Sequence, residues 1–390
     1  MLKNLFIIIF FIIWFASCNS SQTNSTDSRS NPKINTLNSW QLLPFEKIDS
    51  VNPILTPGVG SFIDPILHKM VLWEEKDVFN PAIVNRDGKI YMLYRAQDKI
   101  GKPAGTSRLG LAISTDAIHF KRINKPVFFP ANDEFKKLEW EGGCEDPRIV
   151  EDDKGTYYMT YTAFDGKTAR LLIATSYDLL NWKKHGAVFA KADNGKYANV
   201  WSKSGSIVST YSKGRIIATK IKNKYWMYWG DKQIWVATSD DLINWTPVPL
   251  TTNEKNDGKL NLGTALMANL KVILPTRNGQ FDSDLVESGP PAMLTNNGIL
   301  LIYNSRNDQS TGDKSLPTGT YSAGQVLFDK NDPTKILKRS DSSFIKPNKS
   351  YEITGQVGQV CFVEGLTNFK NKWYLYYGTA DSKIAVACKQ

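Results

Sequence analysis

Histidine and cysteine are scarce in this chain of 390 residues: His68, His119 and His185 are all of the first, and Cys18, Cys144, Cys361 and Cys388 all of the second. The histidines lie far apart and share no metal-site spacing with Asp, Glu or Cys, and a Ser-His-Asp or Cys-His enzyme has no motif to stand on. Beyond Cys18 the cysteines are odd in number and widely spaced, which supports neither a disulfide framework nor a zinc site and leaves a single pairing open. No loop of clustered Asp and Asn has calcium-ligand spacing. Neither a metal nor another cofactor is therefore expected. A dense basic tract is also missing: 48 Lys and Arg against 38 Asp and Glu give +10, but the lysines are dispersed among acids, which argues against a nucleic-acid partner. The apolar run from Leu5 to Phe15 falls short of the roughly 20 residues that a hydrocarbon core of about 30 Å requires.

Aromatic side chains are plentiful instead, with 11 Trp, 16 Tyr and 18 Phe, in a chain 41% apolar and 22% charged. That composition belongs to a globular chain and suits a sheet-rich fold or a surface on which sugars or bases stack. The start of the chain reads as an address. Lys3, the run Leu5 to Phe15 and then Phe15-Ala16-Ser17-Cys18 resemble the lipobox of a bacterial lipoprotein. Residues 1–17 are expected to be a signal peptide, Cys18 to carry lipid, and the polar residues 18–36 to tether the body, 37–390, to the cell envelope. The membrane is then a partner through the lipid anchor alone.

The body repeats itself at roughly 60–80 residues. Thr175-Ser176-Tyr177-Asp178-Leu179-Leu180-Asn181-Trp182 is echoed by Thr238-Ser239-Asp240-Asp241-Leu242-Ile243-Asn244-Trp245, and more loosely by Ser114-Thr115-Asp116 to Phe120. Five aromatic runs, Ile90 to Tyr94, Tyr157 to Tyr161, Tyr225 to Trp229, Ile299 to Tyr303 and Trp373 to Tyr377, are each preceded by turn residues such as Asn85-Arg86-Asp87-Gly88. Short strands so spaced predict an all-β fold, a five-bladed β-propeller of four-stranded blades. Its inner strands would bring Asn80-Pro81-Ala82, Glu145-Asp146-Pro147-Arg148, Lys203-Ser204-Gly205, Glu287 to Pro291 and Val360 to Glu364 to the axis. Carboxylates are costly there unless used or paired.

In their order along the chain these strings resemble glycoside hydrolase family 130, the β-mannoside phosphorylases and hydrolases. The resemblance rests on Phe79-Asn80-Pro81-Ala82, Tyr94-Arg95-Ala96, Gly142-Gly143-Cys144-Glu145-Asp146-Pro147-Arg148, Tyr158-Met159-Thr160-Tyr161-Thr162, Lys203-Ser204-Gly205, Tyr225 to Asp231, Gly289-Pro290-Pro291 and Tyr377-Gly378-Thr379-Ala380-Asp381. It implies that Asp146 is the general acid, protonating the glycosidic oxygen through the mannose 3-hydroxyl. It implies sugar contacts at Asn80, Arg95, Glu145, Arg148, Lys203, Tyr228, Asp231 and Asp381. It also implies a β-mannoside oligosaccharide as substrate.

Phosphorolysis needs cationic donors for a phosphate dianion, whereas hydrolysis needs a carboxylate that activates water. Asn304 stands where the phosphorylases of the family carry His, and Ser322 where they carry Arg, while Glu287 and Glu364 add negative charge. The expectation is an inverting, exo-acting β-mannoside hydrolase on β-1,2-linked mannose, with Glu287 or Glu364 as base. Phosphorolysis, with Arg148, Arg170 and Lys203 as candidate anion ligands, is the alternative, and a non-catalytic glycan-binding lipoprotein is the third reading. Residues 209–220 are expected to be an insertion.

Overall fold

The alternation of β-branched and aromatic residues is realised as sheet. The computed structural model describes residues 40–102, 104–258 and 264–389; the expected signal peptide, Cys18 and the whole of the tether lie outside them. Among the described residues the α-helices are single turns, Lys136–Glu139, Ala265–Ala268 and Ser350–Ile353. None is long and apolar enough to cross a membrane.

Five antiparallel units follow one another. The first is Asp77–Arg86, Lys89–Gln97, Ser107–Ser114 and Lys121–Arg122, each strand paired with the next. The second runs from Gly143–Glu151 through Tyr157–Phe164 and Ala169–Ser176 to Lys183–Ala187. The third holds Ser206–Ile207, Tyr225–Trp229, Ile234–Ser239 and Trp245–Pro247. In the fourth, Leu285–Ser288 and Met293–Thr295 share the partner Gly298–Arg306, which pairs with Tyr321–Phe328 and that with Ile336–Arg339. The fifth takes Cys361–Phe369, Lys372–Thr379 and Lys383–Lys389 from the end of the chain. Its outer strand, Glu46–Lys47, comes from near the start of the described residues. All five aromatic runs are second strands of their units and are largely buried on both faces. None of these sheets closes on itself.

Turn chemistry accounts for the register. Arg86 pairs with Lys89 across Asp87-Gly88, both at positive φ (51° and 70°), the two-residue turn whose twist matches that of the strands. The echoed sequences build one turn three times. Ser176 Oγ accepts from Leu179 N, Asp178 Oδ1 accepts from Leu180 N and Asn181 N, and Leu179 has φ 66°. Ser239, Asp241 and Leu242 (φ 66°) repeat these bonds, as do Ser114, Asp116 and Ala117 (φ 69°).

The apolar core lies between neighbouring units. Leu93 and Leu111 of the first pack with Met159 and Leu172 of the second. Leu171 and Ile173 pack with Met227 and Trp229 of the third, and Tyr228 and Val236 with Leu301 and Val326 of the fourth. Ile302 and Ala323 pack with Val363 and Leu375 of the fifth. Tyr376 and Val386 of the fifth then share a cluster with Ile83 and Met92 of the first. The segment expected as an insertion forms a hairpin, Ser209–Ser212 with Arg215–Ala218, bonded to Glu151 of the second unit and Met293 of the fourth. Cys144, Cys361 and Cys388 are free thiols.

Candidate active site

Three of the first strands carry a β-bulge, and in each the displaced position is a predicted site residue. Pairing steps from Phe79 to Pro81 past Asn80, from Glu145 to Arg148 past Asp146, and from Val363 to Gly365 past Glu364. A bulge re-aims a side chain that strict alternation would send elsewhere. Asn80 and Asp146 take positive φ (48° and 49°), which their short polar side chains tolerate. Pro81 and Pro147 follow them where the ladder is already broken, so the missing N–H costs little.

These bulges converge. Asp146 Oδ1 accepts from Asn80 Nδ2 at 2.9 Å and from Arg95 Nη1 at 3.0 Å, while Oδ2 lies 3.7 Å from Lys203 Nζ. Arg95 also holds Glu145 at 2.7 Å, is fixed through Ser107 Oγ at 3.0 Å, and lies over the Phe79 ring at 4.6 Å. Arg148 Nη2 is 2.8 Å from Glu364 Oε1, a charge contact without hydrogen-bond alignment, and donates to Ser288 O at 2.6 Å, while Nε donates to Gly289 O at 2.8 Å. Ser204 Oγ donates to Glu287 Oε1. All five units thus contribute to one cluster. Gly378 makes room for it, because a Cβ there would collide with Asn80 Oδ1.

The electrostatics separate the carboxyls. Burial pushes Asp146 up, but Arg95, Lys203, the Asn80 bond and Arg148 outweigh it and hold the group below its usual range. Burial pushes Glu287 up to about 7 against the pull of Lys203, with Asp231 adding to the rise. Burial drives Glu364 well above the ordinary range although Arg148 opposes it, and raises Asp381 to about 6 against Arg95. Glu145 is raised by burial despite Arg95. Lys203 is raised because Glu287 and Asp146 outweigh its desolvation. The acid role that the resemblance gives Asp146 therefore needs a proton that the unliganded site does not keep there. Asn80 Oδ1 and both Glu364 oxygens are buried without a hydrogen-bond partner, and donors on a bound sugar would satisfy them.

The other predicted positions divide. Asp231 accepts from Trp201 Nε1 at 2.8 Å beside the cluster. Arg170 bonds Asp165 and Asn199 at 2.7 and 3.2 Å, outside it. Tyr228 corrects the expected sugar-binding set: it is fully buried, stacked on Phe328 at 4.7 Å, and its hydroxyl donates to Pro333 O, so it is a core residue. Asn304 and Ser322 are spent on structure, Asn304 exchanging two hydrogen bonds with the Val363 backbone and Ser322 meeting Ser305. Sequence reasoning gave no role to Ser107, Ser204 or Trp201. Only Ser204 stood in a quoted string, Lys203-Ser204-Gly205, which could have marked it. Among the described residues no group of three or more His, Cys, Asp and Glu is arranged to hold a metal ion.

Comparison with known proteins places the chain in a family. A 1,2-β-oligomannan phosphorylase of Thermoanaerobacter sp. is 32% identical over 323 residues, 81% of this chain and 90% of that protein. A glycosyl hydrolase of Bacteroides ovatus has a similar structure, with TM-score 0.83, 46% identity, and coverage of 91% of this chain and 96% of that one. A structure solved in work on family members that hydrolyse β-1,2-mannosidic linkages in Candida mannan superposes with TM-score 0.85 at 46% identity, over 91% of this chain and 96% of that one. The family model described as β-1,4-mannooligosaccharide phosphorylase matches residues 53–390. The chain belongs to glycoside hydrolase family 130, whose members are enzymes that cleave β-mannosides.

Proposed function

We propose that this enzyme hydrolyses β-1,2-linked mannosides from the chain end with inversion, as a five-bladed β-propeller tethered to the cell envelope through Cys18. The five units in succession and the cores shared by each neighbouring pair, the fifth with the first included, support the propeller. The lipobox-like start supports the tether.

One observation carries hydrolysis over phosphorolysis: the cations of the cluster already face carboxyl groups. Arg148 faces Glu364, Arg95 faces Glu145 and Asp146, and Lys203 lies among Asp146, Glu145 and Glu287. A phosphate dianion would have to displace these partners and meet the remaining negative charge, whereas a water needs only one carboxylate to take its proton. The uncharged Asn304 and Ser322 add no donor charge. The depth of the carboxyls supports exo action, since Glu364 is 1% and Asp146 3% exposed and a chain end reaches such a depth more readily than a chain interior. The β-1,2 linkage is supported by the linkage named for the structural relative at 46% identity. The phosphorylase reading draws on the names of the curated relatives.

In the reaction, water attacks C1 of the terminal mannose and gives up a proton to a carboxylate. The bond from C1 to the glycosidic oxygen breaks, and that oxygen receives a proton from Asp146 relayed through a sugar hydroxyl. Burial is already the largest single push on Asp146. A sugar that covers the site and parts the carboxyl from Lys203 raises its proton affinity further. Glu287 suits the base, because a group near 7 is about half ionised at neutral pH yet basic enough to accept a proton, whereas Glu364 holds its proton more tightly.

The leaving group tests these roles. Asp146→Asn should lose turnover of β-1,2-mannobiose on the order of a thousandfold but keep most activity on dinitrophenyl β-mannoside, whose leaving group needs no proton. Glu287→Gln should lose both. Two variants that cleave mannobiose normally, or an Asp146→Asn that fails equally on both substrates, would overturn the assignment.

A further inference from the structure

Beside the carboxylate cluster lies a cavity of about 650 Å³ lined by Trp201, Asp231, Trp235, Leu266, Met267 and Asn199, among others. That volume falls within the roughly 300–1,000 Å³ of small-molecule sites, and an apolar wall with a few polar groups is the usual lining. Trp201 is 46% exposed, whereas Trp73, Trp229 and Trp245 are at most 1% exposed. Its one polar atom is tied to Asp231 at 2.8 Å, which fixes the ring while leaving its apolar body to the cavity. A large aromatic held this way beside a site for sugars suits stacking on a pyranose.

Two stretches of chain join the cavity to the chemistry. Trp201 is two residues before Lys203, and Ser204 bonds Glu287. Gly230 donates to Lys203 O at 2.9 Å, Asp231 follows, and Lys232 O accepts from Val286 N, next to Glu287. Asp231 is thus common to both places: it lines the cavity, and its charge acts on Lys203 and Glu287.

We infer that this cavity receives the leaving-group side of the oligomannoside, and that Trp201 is the residue that sets preference for a sugar over a small aglycone there. The inference rests on the cluster being the cleavage site. An end-acting enzyme holds one mannose among the carboxyls, and the rest of the glycan must leave through adjoining open space, which the cavity supplies.

The test compares methyl β-mannoside, β-1,2-mannobiose and β-1,2-mannotriose as substrates of the full chain and of Trp201→Ala and Trp201→Phe, reading kcat and KM separately. The parent should favour the oligomannosides. Trp201→Ala should cut that preference about tenfold or more, and Trp201→Phe should restore most of it because the stacking surface returns. Equal losses on all three substrates, or a preference that Trp201→Ala leaves intact, would overturn the inference. A parent inert on every β-mannoside would instead remove the cleavage-site reading on which it rests.

Discussion

On the proposed reading, Glu287 is the residue whose environment decides when the site works. Burial lifts it to about 7, Lys203 and Arg148 pull it down, and Asp231 pushes it up. A base must be ionised, so kcat/KM should rise with pH along an acid limb centred near 7. Asp231→Asn removes a negative charge that raises Glu287 and should move this limb to lower pH, as a rate–pH profile on methyl β-mannoside would record. A limb that stays in place would assign it to another group. The same residue scale shows what sequence could tell. Asp146, Glu287, Glu364, Arg148 and Lys203 were nameable because charged residues on predicted inner strands must find one another, and Arg95 only through the family resemblance. Tyr228 was misassigned because its strand, Tyr225–Trp229, is largely buried on both faces, so alternation gave no sign of which aromatic met sugar and which met the neighbouring unit.

At the scale of elements, the second strand of each unit was legible as an aromatic run bounded by turn residues. The outer strands were not, since Lys121–Arg122 and Glu46–Lys47 have two residues each and carry no periodicity. Nor were the three bulges, which depend on how one strand registers with the next. Their effect is nevertheless concentrated in a few atoms. Gly378, on the second strand of the fifth unit, lets Asn80 approach, and Asn80 donates to Asp146. Gly378→Ala should push Asn80 off Asp146 and lower kcat on mannobiose on the order of tenfold or more, with far-ultraviolet circular dichroism unchanged. An unaltered kcat would show that Asn80 does not position the carboxyl.

The whole molecule gathers one contribution from each of five units at a place where no single unit could hold so many charges. Four inner strands and the segment before the third, Lys203–Ser204, bring carboxyls, an amide or a cation, Arg95 joins them from a second strand, and their mutual pairing offsets the desolvation that would otherwise expel them. The pairing also leaves no surplus positive charge to draw a phosphate dianion, which is why water is assigned as nucleophile. The most direct test follows cleavage of β-1,2-mannobiose by proton NMR in phosphate-free buffer and again with phosphate. The account predicts α-mannose as the first anomer released from the non-reducing unit, at the same rate in both buffers. No cleavage until phosphate is present, with mannose-1-phosphate as product, would contradict it.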